Sequence, residues 1–194
     1  MTTDTIIAAS SVATFIVIAT TAVAALVQIR HLRSNNQMNI LLTLMRMWSD
    51  PEMQEHIRYT RGPLQERLKD GRFLEEFGMR NMARSEHPEL LVADFWEQIG
   101  SFMKYGLMDE NAWLDVAGTQ VTAAWDYLEP AIEFMRKKRG RSAYENFEYA
   151  AVRAKLFMRR YPDGNYPRST PRIEDFKQRF MQSAPERESA NVSP

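Results

Sequence analysis

Paired acidic residues are the first candidates for chemistry in this 194-residue sequence. Glu52 and Glu55, and likewise Asp94 and Glu97, lie three positions apart, which places both carboxylates of each pair on one helix face. Two carboxylates at this spacing can contribute oxygen ligands to a hard cation. Such pairs are far more often solvated helix surface, and this is the interpretation that we favour for both.

A second set of acids, Glu97, Asp126 and Glu148, would serve an unrecognised enzyme if a cleft brought them together. Thiol chemistry and a standard phosphate-binding loop are excluded. The chain has no cysteine, its three histidines lie in separate segments, and its eight glycines form neither G-x-G nor a P-loop. Since no Glu-x-x-His pair occurs either, a di-iron site is not expected. We expect no cofactor, no metal and no catalytic residue, and we favour a binding protein over an enzyme.

The elements that position these residues begin with a long apolar segment. No charged residue lies between Asp4 and Arg30, and 18 of the 24 residues from Ile6 to Ile29 are Ala, Val, Ile, Leu or Phe. As a helix this segment is about 36 Å long, enough to cross a hydrocarbon core of roughly 30 Å. A cleaved signal peptide, with Ala22-Val23-Ala24 as its cleavage pattern, fits less well because the N-terminus lacks Lys and Arg. The sequence predicts a membrane anchor over residues 1–33, with the transmembrane helix at about 6–29.

Charges next to the span predict its orientation. Arg30 and Arg33 follow the apolar segment, whereas only Asp4 precedes it. By the positive-inside rule, the N-terminus lies outside the bacterial inner membrane and residues 30–194 lie in the cytoplasm. Because residues 1–50 contain no Gly or Pro, the helix should continue as a stalk to Ser49.

The stalk carries a broad apolar face. Its side chains recur at helical spacing, at Met38, Leu41, Leu42, Met45 and Trp48, with Ile40, Leu44 and Met47 beside them. We favour packing of this face against the cytosolic domain of the same chain. The alternative is a homodimer seam through residues 35–49.

Start and stop signals divide the remainder into helices, so the fold class is all-α: one transmembrane helix that continues into a cytosolic bundle of about five to seven helices, residues 34–182. Residues 183–194 have the composition of a disordered tail. Asp50-Pro51 and Asp109 are predicted helix starts, and Gly106 is a predicted left-handed cap. The predicted helices begin at Asp50-Pro51 and Gly62-Pro63 and then cover Arg72–Arg84, His87–Tyr105, Asp109–Arg139 and Ser142–Tyr161, with a last short one after Thr170-Pro171.

The zero net charge conceals two regions of opposite charge. Residues 50–134 hold eight basic and 17 acidic residues, a net charge of −9, and residues 135–172 hold 11 basic and three acidic, a net charge of +8. We favour a basic strip, residues 136–160, whose cations complement helix C-termini and pair with neighbouring acids. One alternative is attraction to anionic lipid. Nucleic acid ranks lowest and is not an expected partner, since the aromatic residues of the strip match core spacing.

Five charged residues are candidates for an interaction surface or a structural ion pair: Glu97, Arg136, Lys137, Glu148 and Arg153. Glu148 follows a predicted core residue, Phe147, and is expected to pair with Arg136 or Lys137. Such a pair would fix the register of the last helical hairpin.

Several segments share a pattern of aromatic, glycine and capping residues. They are Phe95-Trp96-Glu97-Gln98-Ile99-Gly100, Tyr105-Gly106-Leu107-Met108-Asp109-Glu110, Trp125-x-x-Leu128-x-Pro130-x-Ile132, Arg136, Tyr144-x-Asn146-Phe147-Glu148 and the helix start Asp50-Pro51-Glu52. Over most of residues 6–161 the chain resembles a widespread family of bacterial membrane-anchored all-helical domains of unknown function. The resemblance implies one N-terminal transmembrane helix and a compact cytosolic domain, and it implies no activity or cofactor.

The sequence thus favours a single-pass inner-membrane protein whose cytosolic domain is a non-catalytic binding or scaffold module. Its expected partners are the lipid bilayer and another protein, without a small-molecule ligand. The alternative is an accessory component of a bacterial envelope-stress or phage-defence response. An enzyme that uses the carboxylates named above is less favoured.

Overall fold

The computed structural model of the chain describes residues 3–79 and 82–181. Across those residues the regular structure is helical, without a strand, and this confirms the predicted all-α class. The chain forms two compact units, of which the first ends at Arg160 and the second begins at Tyr161. The helices are α1 (Thr3–Ser49), α2 (Pro51–Arg61), α3 (Pro63–Arg67), α4 (Gly71–Glu76), α5 (Glu89–Lys104), α6 (Glu110–Arg139), α7 (Glu145–Arg160) and α8 (Ile173–Met181), and a 3-10 turn (Arg84–Glu86) precedes α5.

Helix α1 combines the predicted span and stalk in one uninterrupted element. By length and composition its apolar part is sufficient to cross a membrane. Hydroxyl groups within that part donate to backbone carbonyls up to one turn earlier, at 2.7–2.9 Å, so the polar side chains are satisfied inside the helix. The residues involved are Ser10, Ser11, Thr14, Thr20 and Thr21.

The stalk is covered on one face only. Leu44 is buried in the core, and the Trp48 ring lies 5.3 Å from that of Phe95. Met38 and Leu42, on another face of the same turns, are exposed. The stalk therefore packs against the bundle of its own chain through part of its apolar surface.

Aromatic side chains fill the centre of the first unit. Four buried rings form this group: Trp96, Trp113, Trp125 and Phe147. The centroid of each ring lies within 6.4 Å of the centroid of another ring of the group. These residues come from α5, α6 and α7, so the three helices share one core. Burial of large aromatic surfaces is the main source of stability at such a contact.

Two helix starts and one helix end follow the predictions. Asp50 accepts a hydrogen bond from the Glu52 amide, and Asp109 accepts one from the Ala112 amide, both at 2.9 Å. Gly106 has φ = 63°, the left-handed conformation that glycine adopts without strain.

The helix predicted over Arg72–Arg84 is wrong in extent, because α4 ends at Glu76. The next three amides bond to the carbonyl three residues earlier, a tighter pattern that ends the α-helix. The last predicted hairpin helix also starts later than Ser142, at Glu145, since Tyr144 has φ = 55°. The predicted tail, 183–194, lies outside the described residues.

Candidate functional site

The N-terminus of α7 is fixed by a carboxylate from another helix. Glu97 of α5 accepts hydrogen bonds from the Asn146 side-chain amide and the Phe147 backbone amide, both at 2.8 Å. The first amides of a helix have no partner within it, so Glu97 acts as a cap. We call this contact the α7 joint and define it by Asp94, Glu97 and Gly100 of α5, Arg136 of α6 and residues 143–148. Glu97, one of the five charged candidates from the sequence, thus has a structural role.

Gly100 permits the close approach of α5 and α7 at the joint. A Cβ atom at this position would lie 1.8 Å from the carbonyl oxygen of Asn146 and 2.4 Å from its carbonyl carbon. Both obstructing atoms belong to the backbone, so no side-chain rotation can relieve the overlap. The joint therefore requires glycine here.

Tyr144 forms a second bond between the start of α7 and α5 within the joint. Its hydroxyl donates to Asp94 Oδ1 at 3.0 Å, while the other oxygen of Asp94 accepts from Arg84. Burial, followed by the negative charge of Asp94 and this hydrogen bond, raises the pKa of Tyr144 well above its ordinary value. The phenol is thus a stable hydrogen-bond donor at neutral pH.

Arg136 closes the opposite side of the joint. It donates to the Ala143 carbonyl at 3.0 Å, to the Tyr144 carbonyl at 3.4 Å and to Glu148 Oε2 at 2.8 Å. The structure therefore brings Arg136 and Glu148 together, whereas Lys137 is exposed. Arg136 also pairs with Glu133 of its own helix, at 3.2 Å. A guanidinium that bonds two carbonyls and a carboxylate of the next segment fixes the loop before α7 as well as the helix itself.

The remaining sequence candidates lie at other helix contacts. Arg153 of α7 bonds Glu110, and this bond raises the pKa of Arg153 further above its high ordinary value. Lys155 donates to Asp126 Oδ1 at 3.1 Å. Glu97, Asp126 and Glu148 thus engage three different partners and do not form one acidic cleft. Several cations of the basic strip pair with acids of neighbouring helices, as the favoured interpretation of the strip expected.

A buried histidine is a feature that sequence reasoning missed. His87 Nδ1 lies 2.7 Å from Glu89 Oε1, and its Nε2 lies 3.2 Å from Glu76 Oε2. The ring stacks on Phe73, with centroids 5.3 Å apart. Glu89 is fully buried and its second oxygen has no hydrogen-bond partner. The cluster ties α4 to the start of α5.

An open pocket lies where the end of α1, the start of α2 and the middle of α5 meet. Its volume is about 490 Å³, and we call it the α1–α2–α5 pocket. Four of its lining side chains are apolar and five are polar, a composition suited to an amphipathic ligand. The lining residues are Met47, Met53, Leu91, Phe95, Asp50, Glu52, His56, Asp94 and Gln98.

The pocket is acidic. Asp50, Glu52 and Asp94 line it, and no Lys or Arg is among the lining residues. His56 Nε2 is buried without a hydrogen-bond partner and lies 3.7 Å from a Glu52 oxygen, beyond hydrogen-bond distance. Unlike the joint, the pocket therefore presents polar groups that the protein itself does not satisfy.

Only part of this pocket could be predicted. The two acidic pairs noted at the outset each contribute one member to it, Glu52 and Asp94. Because Glu52 and Asp94 lie far apart in the sequence, their pattern does not show that they line one pocket. In the part of the chain that the structure describes, no cluster of three or more His, Asp and Glu side chains is arranged to hold a metal ion.

These features define a class of protein: an all-α domain carried on a long apolar N-terminal helix, with an acidic pocket beside the end of that helix. The chain belongs to the DUF4760 family, a domain of unknown function, whose sequence model matches residues 15–154. The match contains the α7 joint and every residue that lines the pocket. It confirms the resemblance to a family of unknown function. No curated protein and no solved structure matches the chain significantly.

Proposed function

We propose that this protein is a membrane-anchored binding module whose α1–α2–α5 pocket receives a basic, partly apolar segment of a partner protein. The observation that carries the proposal is the pocket itself, in which three acids surround apolar side chains and no Lys or Arg is among the lining residues. Asp94 pairs with Arg84 from outside the lining, so Asp50 and Glu52 are the acids without a Lys or Arg partner. A Lys or Arg side chain would meet the carboxylates, and neighbouring apolar side chains would cover Met47, Met53 and Leu91.

Binding accounts for the acids better than catalysis does. The carboxylates that an enzyme would need, Glu97 and Glu148, already bond α7 to its neighbours. Asp126 pairs with a lysine at another contact. In contrast, Asp50 and Glu52 are exposed at the pocket, and only Asp94 has a Lys or Arg partner, Arg84, which does not line the pocket. A scaffold role therefore fits the distribution of satisfied and unsatisfied groups.

Membrane anchoring is the second part of the proposal. The apolar part of α1 is long enough to span a bilayer, and its hydroxyl groups are bonded within the helix. Arg30 and Arg33 after the span support an inner-membrane protein with its domain in the bacterial cytoplasm. A reporter that is active only in the periplasm, fused after Pro194, should stay inactive. Activity of that reporter would reverse the orientation.

The binding proposal is tested with the full chain in nanodiscs and two fluorescent peptides of equal length. One peptide alternates Leu and Lys, and the other alternates Leu and Glu. We expect fluorescence anisotropy to show saturable binding of the Lys peptide only. Glu52→Lys reverses a charge that is 80% exposed, so it should weaken this binding about tenfold without unfolding the domain.

Asp115→Lys is the matched control, because it makes the same charge change at an exposed position of α6 that does not line the pocket. It should leave the affinity for the Lys peptide almost unchanged. Equal weakening by both variants would mean that the peptide responds to net charge alone. That result, or equal binding of both peptides, would contradict the pocket as the binding site.

A further inference from the structure

The turn between α5 and α6 lies beside α1 at the point where the apolar span ends. Tyr105, Gly106 and Leu107 share one groove with one face of α1, formed by Ile29, Leu32, Arg33, Asn36, Gln37, Asn39 and Ile40. A Cβ atom on Gly106 would lie 4.0 Å from a guanidinium nitrogen of Arg33. The turn is therefore close to the first positive charges that follow the span.

The distance of this turn from the end of the span, measured along the axis of α1, matches the depth of the headgroup layer. Arg33 follows Ile29 by four residues, about 6 Å along the helix axis. The polar layer of a bilayer is roughly 5–7 Å thick on each side of the hydrocarbon core. If the core ends at Ile29, the turn beside Arg33 lies among lipid headgroups.

The composition and rigidity of the turn suit that environment. Tyr105 is 70% exposed and Leu107 is 49% exposed, although both are large apolar or amphipathic side chains. Tyrosine is enriched where protein meets the membrane–water interface. The turn is held by hydrogen bonds from the Gly106 amide to Met103 and from the Leu107 amide to Phe102, at 3.1 and 2.9 Å. It presents the two side chains on a fixed backbone.

We propose that the Tyr105–Leu107 turn is a second membrane contact, which inserts Tyr105 and Leu107 into the headgroup layer of the leaflet where α1 ends. This inference rests on the proposed membrane anchoring by α1. Arg30 and Arg33 add attraction to anionic lipid at the same height. With two contacts, the domain cannot rotate freely about its anchor. The α1–α2–α5 pocket, lined by Met47, is then held about 27 Å beyond the end of the span.

The absence of cysteine makes a direct test straightforward, because one introduced cysteine carries one spin label. Labels are placed at Tyr105→Cys and Leu107→Cys in the full chain, reconstituted in vesicles that contain phosphatidylglycerol. Collision with oxygen, which concentrates in lipid, is compared with collision with a water-soluble nickel chelate. Phe15→Cys gives the reference inside the proposed span, and Leu91→Cys, which is 40% exposed in the wall of the open pocket, gives the aqueous reference.

We expect the oxygen-to-nickel ratio at both turn positions to lie between the two references. Ratios equal to that of Leu91→Cys, with Phe15→Cys still in lipid, would overturn the second contact and leave the anchor intact. An aqueous ratio at Phe15→Cys would overturn the anchor and the second contact together. Two independent label positions guard against a local disturbance by either substitution.

Discussion

The α7 joint and the α1–α2–α5 pocket share helix α5 but use their polar side chains in opposite ways. In the joint, Glu97 accepts two hydrogen bonds and Arg136 donates to four acceptors, of which Glu133 belongs to its own helix. In the pocket, Glu52 is 80% exposed and His56 Nε2 is buried without a partner. Asp94 belongs to both regions, since it bonds Tyr144 and also lines the pocket.

The difference indicates where structure and function lie in this chain. Two of the segments that carry the family resemblance, 95–100 and 144–148, meet in the joint, where every named contact holds helices together. Groups that satisfy one another contribute stability and leave little capacity for a ligand. The groups available to a partner lie mainly outside these segments, around α2. The joint and the pocket should therefore respond differently to substitution.

The largest effect is expected from Gly100→Ala in the joint. The new methyl group would overlap the Asn146 carbonyl at 1.8 Å, so α5 and α7 must move apart. We expect a loss of about 3 kcal/mol or more in the free energy of unfolding, at the upper end of the range for overpacked cores. Denaturant unfolding in detergent micelles, followed by circular dichroism, measures this loss.

Gly71→Ala is the control for this substitution. A Cβ atom on Gly71 meets nothing within 4 Å, and this residue lies at the start of α4 with no unusual φ. The free energy of unfolding of the Gly71→Ala protein should be unchanged or slightly higher, because alanine favours the helix. If Gly100→Ala were equally harmless, the close approach at the joint would not limit the fold.

Local signals allowed much of the fold to be predicted, whereas the sites depend on distant contacts. Asp109 and Gly106 act within a few residues of their own position, so their capping roles follow from the sequence. The helix predicted to end at Arg84 is wrong because the tight turns after Glu76 depend on packing, including Gly78 against Lys138 of α6. The cap from Glu97 to Phe147 joins residues 50 positions apart, which periodicity does not reveal.

A smaller effect, in the joint alone, concerns Tyr144 at high pH. Its pKa is raised in the folded protein above the ordinary value of 10, so above pH 10 the unfolded chain releases a proton that the folded chain retains. The stability contributed by this proton is fully present below pH 10 and is lost as the pH rises towards the folded pKa. Tyr144→Phe should cost about 1 kcal/mol at neutral pH and should reduce the slope of stability against pH above 10.

Melting temperatures measured from pH 8 to beyond pH 10 test this expectation, with Tyr105→Phe as the exposed control. The control should retain the slope of the unsubstituted protein. A Tyr144→Phe protein with that same alkaline slope would show that the Tyr144–Asp94 bond does not govern the pH response of the joint.

The smallest effect is expected from Glu148→Gln, which tests whether the ion pair or the backbone contacts of Arg136 fix the joint. Glu148 is 48% exposed, while the Arg136 side chain is only 10% exposed. Arg136 retains the Ala143 and Tyr144 carbonyls after the substitution, so the loss should be about 0.5 kcal/mol and a correspondingly small drop in melting temperature. Asp115→Asn, at an exposed acid of α6, should show no drop. Arg136 also keeps its pair with Glu133, which lies in its own helix and does not reach α7. An unchanged midpoint for Glu148→Gln would show that the Arg136–Glu148 pair does not stabilise the joint and that Arg136 reaches the segment before α7 through the two carbonyls.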